Sequence, residues 1–378
     1  MLRVKSEDRI IELDGLRGIA VTMVLAWHFI GQTLLSSSLP NAHYVSSVFI
    51  LGRTGVDLFF VLSGFLIIGI LIDQKRSPNL FFVFYIRRTS RIIPPYLLLL
   101  LIFWILTSAF ELRDQNSDTI PFWSYFLFIQ NWFMSFANDW GPSGISVTWS
   151  VAIEEQFYIV FPLILLITPA ERLRSILIAI AVTSWLCRAG LTLVAPSAAF
   201  APYVNTILRL DALCVGGLIA TIYRDKPLFS RLLAERQRVL KATMALSTLV
   251  IPLLYGINTN IRPTMYIYGH AFLAIYFGAI VLLTLLYKGD ARCKFLRGRV
   301  LLFFGLISYS AYLFHPIIIM GIFKYRDRLE QWSSWQDAIA LALAFTSTLL
   351  VCWLFRFIEN YFIGIGHGFK YKAQQEIA

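Results

Sequence analysis

The run "RGIAVTMVLAWHF" at residues 17 to 29 is mostly apolar, yet it begins with Arg17 and carries His28 near its end. An ionisable side chain in hydrocarbon costs about 2.5–3.5 kcal/mol on insertion scales, so such groups are usually kept for function. An imidazole near its unperturbed pKa takes a proton from a hydroxyl at neutral pH, and a guanidinium fork holds phosphate or carboxylate. Eleven residues of α-helix rise about 16 Å and turn through roughly 1100°, close to three whole turns. Arg17 and His28 therefore point the same way, and His28 is a candidate general base.

Three other apolar runs carry groups suited to the same chemistry. "GVDLFFVLSGFLI" holds Asp57 and, deeper, Ser63; "TWSVAIEEQFYIVFPLILL" holds Glu154 and Glu155; "GLISYSAYLFHP" holds Tyr309 and His315. A carboxylate beside His28 would fix the ring and steady its imidazolium, as the acid of a catalytic triad does, which makes Asp57 and Glu154 the candidate catalytic carboxylates. Glu154 and Glu155 point about 100° apart, so a regular helix turns only one of them into a given cavity. In "FFVFYIRRTSRIIPPYL", Arg87, Arg88 and Arg91 precede what reads as a Pro-Pro helix start. Arg88 and Arg91 are three apart, share a helix face and form a pair suited to phosphate. Singly, each group has a plainer reading as topology charge, helix cap or hydrogen-bonded interior residue. It is their convergence that favours chemistry.

The elements that must position these groups are membrane spans. The 378 residues are 58% hydrophobic and only 15% charged, with mean hydropathy +0.68, where soluble domains are about 25% charged. This is the composition of an integral membrane protein. Apolar windows of roughly 20 residues fall near 15–35, 55–72, 92–110, 148–168, 175–195, 204–223, 239–255, 267–287, 300–322 and 337–358. The fold expected is all-α, a polytopic bundle of about ten transmembrane helices. A further stretch, "PFWSYFLFIQNWFMSFA" (121–137), reads as re-entrant or interfacial, with Trp123, Trp132 and Trp140 at headgroup level. With 121–137 not spanning, 23 of the 33 Lys and Arg lie on one side, which is then the cytoplasmic side with both termini. The net charge of +11 is thus topological and implies no nucleic acid. His28, Asp57, Glu154 and His315 are then expected at one level in the outer half, and the 36–54 and 256–266 loops outside. The N-terminus lacks a cleavage motif and reads as an uncleaved first span. The four cysteines show no metal-ligand or CxxC spacing, so neither disulfide nor metal is expected.

Taken in order, "LDGLRGIAVTMVLAWHF", "GVDLFFVLSGFLI", "RRTSRIIPPY", "WSVAIEEQFYIVFPL" and "LISYSAYLFHP" resemble the acyltransferase 3 family of membrane O-acyltransferases over nearly the whole chain. The resemblance implies acetyl-CoA or another acyl-CoA as cosubstrate, no metal, and a carbohydrate hydroxyl as acceptor, as on exopolysaccharide or lipopolysaccharide, at the plasma (inner) membrane of a bacterium. The family's Arg-x10-His motif matches Arg17 and His28, and its Arg-x-x-Arg motif matches Arg88 and Arg91. Some members carry an added extracytoplasmic esterase-like domain; residues 1–378 read as a single membrane domain without one. On this reading Arg17, Arg88 and Arg91 hold the donor phosphates, His28 is the base oriented by Asp57 or Glu154, and Tyr309 and His315 bind substrate. Direct transfer and an acyl-enzyme both stay open; Ser63 could relay the acyl group, though "LSGF" reads more simply as close helix packing by small residues. The alternative is a transporter or flippase of a glycan or small solute, since many-helix bundles with interior charges are commonly carriers. No repeat of one half in the other supports it.

Overall fold

A computed structural model describes residues 9–35, 42–109, 118–250, 262–327 and 334–372. Among these residues every regular element is helical. That follows from the apolar composition, because a helix satisfies its own backbone polar groups where no water can. The ten long helices are α1 (Ile11–Ala26), α2 (Gly55–Gln74), α3 (Leu80–Ala109), α4 (Thr148–Ile167), α5 (Leu173–Val194), α6 (Leu210–Arg224), α7 (Arg236–Thr248), α8 (His270–Leu286), α9 (Arg299–Asp327) and α10 (Ser334–Gly368). Among the described residues eight spans are long and apolar enough to cross a membrane, built on all of these except α6 and α7. Those two, of 15 and 13 residues, occupy the windows expected at 204–223 and 239–255. The second window runs into residues outside those described, as do parts of the 36–54 and 256–266 loops.

Two features differ from expectation. The Pro-Pro pair does not start a helix: α3 begins at Leu80 and runs through Pro94 and Pro95, so the arginines lie inside the helix. Proline is tolerated there because neighbouring side chains can re-satisfy backbone groups in a packed bundle. The 121–137 stretch forms two short helices, Phe122–Phe126 and Gln130–Ala137, neither long enough to span. Gln156 of α4 anchors them, donating to the Phe128 carbonyl at 2.7 Å and to Asn131 Oδ1 at 2.9 Å and accepting from Trp132 Nε1 at 3.0 Å. Trp123, Phe126 and Phe136 stay exposed, which suits an interfacial position.

The basic loops gather at one end of the bundle. Lys75 donates to the Thr168 carbonyl (2.6 Å), Arg224 pairs with Asp73, and Arg174 with Asp225 (2.9 Å). Arg236 and Arg292 both lie over the Tyr287 ring, and Arg297 and the Gly289 N–H bond Glu12 at the start of α1. Arg87 and Asn79 hold the 369–370 carbonyls that follow α10. Half-exposed pairs of this kind contribute little stability, but they fix which loops share an end. They are the loops grouped together by charge.

Inside, α2 is central, packing on α1, α4, α6 and α8. Its approach to α6 is so close that a Cβ on Gly64 would run into the Leu213 carbonyl and one on Gly216 into the Val61 carbonyl; small residues allow such contact in membranes, where dispersion rather than hydrophobicity drives association. The same helices share buried charge. Asp57 of α2 accepts from Arg209 at 2.7 Å, just ahead of α6, while His270 of α8 lies 3.2 Å from the same carboxylate and against Arg209. Arg209 also stacks over Phe60 and Tyr203. Next to it, Arg188 of α5 pairs with Asp211 at 2.6 Å and donates to the Tyr266 carbonyl at 2.8 Å. All five charged or ionisable side chains are buried.

Two outcomes are expected. Gly64→Ala should lower the melting temperature of the detergent-solubilised protein, while Gly190→Ala, whose Cβ meets nothing within 4 Å, should leave it unchanged or raise it. Arg209→Met alone should destabilise by about 3–5 kcal/mol because it strands a buried carboxylate. The double change Arg209→Met with Asp57→Leu should recover much of that loss, read in the same melting assay.

Candidate active site

A cavity opens between α1, α2, α3, α4 and α9. Arg17, Arg88 and Arg91 line it, all three half-buried. Arg17 donates to Ser308 Oγ at 3.2 Å, and Arg88 lies over the Phe84 and Tyr158 rings at 5.8 and 5.6 Å. Arg87, the third member of the sequence cluster, turns away to the Phe369 carbonyl and the Tyr371 ring. The two motif arginines thus separate from the one that only ties loops together. Three cationic side chains around one cavity favour an anionic ligand, and guanidinium forks favour phosphate in particular.

Beyond the arginines the polar groups of the lining are hydroxyls and one carboxylate, and the rest of the wall is apolar, with Phe59, Phe60 and Leu66 among it. Ser150, Glu154 and Tyr158 recur every fourth residue on α4 and so stack on one helix face. Glu154 accepts from Ser63 Oγ at 2.6 Å and from Tyr158 at 3.2 Å. Glu155 points elsewhere and is absent from the lining, as the 100° separation requires. Tyr309 lines the cavity and donates to the Ile92 carbonyl at 3.1 Å; Tyr312 lines it too, within 2.6 Å of Ser150 Oγ.

His28 and His315 form a second centre. Their rings meet edge-on with centroids 4.8 Å apart, and His315 lies 6.0 Å from the Tyr312 ring. Tyr312 therefore bridges the histidine pair to the cavity. His28 sits in a π-helical turn, Trp27–Gly31, that continues α1, a distortion common at functional sites. His315 bonds the Ala311 carbonyl through Nδ1 at 3.0 Å, which makes Nδ1 the protonated nitrogen; the buried Nε2 has no hydrogen-bond partner. That nitrogen carries a free lone pair.

Of the four ionisable groups expected to converge, the structure brings two into contact. His28 and His315 come together. Asp57 does not join them, because Arg209 and His270 engage its carboxylate, and Glu154 bonds Ser63 and Tyr158 instead. No hydrogen bond joins His28 to either carboxylate among the described residues. Arg17 and His28 share a helix, but only Arg17 lines the cavity. Tyr158, Ser150, Ser308 and Tyr312 join the site without being singled out by the sequence, although the four-residue spacing of the α4 set points to two of them. Arg209 and Arg188, two arginines inside apolar windows, call for acids, and Asp57 and Asp211 supply them.

Residues 10–357 match the model of a family described as an acyltransferase domain. The chain is 30% identical to the peptidoglycan O-acetyltransferase OatA of Listeria monocytogenes, with 97% of this chain and 58% of that protein covered. It is 30% identical to the putative peptidoglycan O-acetyltransferase YrhL of Bacillus subtilis, over 82% of this chain and 48% of that protein. A putative O-acetyltransferase of Staphylococcus aureus is 28% identical, over 83% and 51%. The chain therefore spans about half the length of the curated relatives it matches. No solved structure matches. With the family model covering nearly all of the helical bundle, arginine cavity and histidine pair included, the chain belongs to the acyltransferase domain family.

Proposed function

We propose that the chain is an acyl-CoA-dependent O-acetyltransferase that moves an acetyl group to a hydroxyl of a cell-envelope carbohydrate, with His28 as general base. The observation that carries this reading is the cavity on which Arg17, Arg88 and Arg91 converge with Ser63, Glu154, Tyr158 and Tyr312, the last of which has its ring against His315 of the histidine pair. The names of the relatives support acetyl as the group moved and a peptidoglycan-type glycan as the acceptor class. Basic loops clustered at one end support an orientation with that end in the cytoplasm of a bacterium and the chain in its plasma membrane.

On this reading the donor enters from the basic end. Its phosphates sit among the three arginines and its thioester reaches inward along the apolar wall formed by Phe59, Phe60 and Leu66. The acceptor reaches the histidine pair from the opposite side. His28 takes the proton of the acceptor hydroxyl as its oxygen attacks the acetyl carbonyl, and passes it to the group that leaves that carbon. The tautomer of His315 leaves a lone pair for an acceptor hydroxyl, which gives it a positioning role beside His28.

His28→Ala is expected to lower acetyl transfer from acetyl-CoA to a soluble glycan acceptor by 10²–10⁴-fold while the variant inserts and melts as the parent does; near-parental turnover would remove His28 as the base. Arg88→Ala and Arg91→Ala should raise KM for acetyl-CoA with a smaller effect on kcat, because they hold a part of the donor that does not react. Lys at either position should rescue only in part, since a point charge lacks the guanidinium fork. Unchanged donor kinetics in both Ala variants would return these arginines to a topological role.

A further inference from the structure

Ser63 and Glu154 form a hydrogen-bonded nucleophile and base inside the cavity. Ser63 Oγ donates to Glu154 Oε1 at 2.6 Å, within the reach that defines an activated hydroxyl. The other carboxylate oxygen accepts from Tyr158 at 3.2 Å, and the same phenol lies 3.4 Å from Ser63 Oγ. A nucleophile, a base and a third group orienting the base is the logic of a triad, here assembled from α2 and α4.

The packing explanation of "LSGF" falls to the neighbouring residue. Gly64 makes the close contact with α6, against the Leu213 carbonyl, whereas Ser63 faces the cavity with its hydroxyl on Glu154. A serine used only as a small spacer has no need of a carboxylate in an apolar bundle, where that acid is costly. The position matters as well. Ser63 lies eight residues along α2 from Gly55, about 12 Å of rise, in the same cavity that Arg17, Arg88 and Arg91 line. Ser63 shares the cavity lining with the three arginines, whereas His28 is not part of it.

We infer that Ser63 is an acyl relay with Glu154 as its base, an inference that rests on the acyl-CoA reading above. In the first half-reaction Ser63 Oγ attacks the thioester carbonyl carbon and its proton passes to Glu154. The carbon–sulfur bond breaks, and the thiolate leaves with that proton as free CoA thiol, so the protein keeps an O-acetylserine. The oxyanion of the tetrahedral intermediate forms in the cavity that Arg17 lines, where its fixed positive charge stabilises it. In the second half-reaction the acceptor oxygen attacks the serine ester. Its proton goes to the base assigned to His28 and returns to Ser63 Oγ as that bond breaks, which yields acetylated acceptor and free serine.

The test uses the full chain purified in lipid nanodiscs and given acetyl-CoA without acceptor, followed by an acid quench, peptide mass spectrometry and a thiol assay for released CoA. The parent protein should show one acetyl group on the peptide carrying Ser63, with a matching burst of thiol, and His28→Ala should accumulate the same ester because its second half is blocked. Glu154→Gln should slow the burst by about 10²-fold or more. Ser63→Ala should carry no acetyl group and transfer none, and Ser63→Cys, close in size, should carry a thioester cleaved by neutral hydroxylamine, which guards against a fold defect. Transfer to acceptor by Ser63→Ala at near-parental rate, or by a parent protein that never carries acetyl on Ser63, overturns the relay and leaves the acyl-CoA reading standing. Absence of both thiol release and acceptor acetylation in the parent overturns the acyl-CoA reading and the relay with it.

Discussion

The contact between Asp57 and Arg209 is the constraint on which the rest of the bundle depends. Two full charges lie where almost no water reaches, and His270 closes on the same carboxylate. Neither charge is tolerable alone, so α2, α6 and α8 have one arrangement in which both are paired. That arrangement sets the depth of α2 and turns Phe60, lying under the Arg209 guanidinium, into the cavity wall. Ser63, six residues on from Asp57, is carried to the cavity by the same register. Arg188 with Asp211 repeats the device one helix further out. A bundle whose helices pack through small residues and dispersion has little else to fix register.

The polar groups of the interior divide into two sets with different company. At the basic end, arginines meet hydroxyls and Glu154 around an open volume. Toward the other end, His28 and His315 meet each other and aromatic rings. The first set suits an anionic ligand with a long apolar arm; the second suits proton transfer in a drier setting. Tyr312 connects them, since its hydroxyl bonds Ser150 in the cavity and its ring faces His315.

Much of this was legible in the sequence because it rests on local periodicity. Apolar windows located the long helices, the loop charges grouped the ends that meet, and the eleven-residue interval put Arg17 and His28 on one helix. Arg88 and Arg91 came out together because a three-residue interval needs no knowledge of neighbours. What was not legible depended on rotation and depth between helices. Asp57 stands near the end of α2 that faces His28 in any antiparallel drawing, and only the position of α6 shows that Arg209 takes it first. The Pro-Pro pair misled for a related reason: in water proline ends a helix, but in this bundle α3 continues through it.

The turn that holds His28 shows how a local distortion preserves a long-range register. A π turn admits an extra residue and rotates everything after it relative to a regular helix. His28 is only the second residue of Trp27–Gly31, so it keeps the phase counted from Arg17, and the rotation falls on Gly31 and beyond. There Ser46 donates to the Gly31 carbonyl at 2.7 Å, holding the widened turn against the segment that leads into α2. A Cβ on Gly31 would press into the Trp27 ring and Phe49, so the turn can close only with glycine at that place. The helix thus delivers its arginine and its histidine on one face, and spends its irregularity just past the residue that needs room.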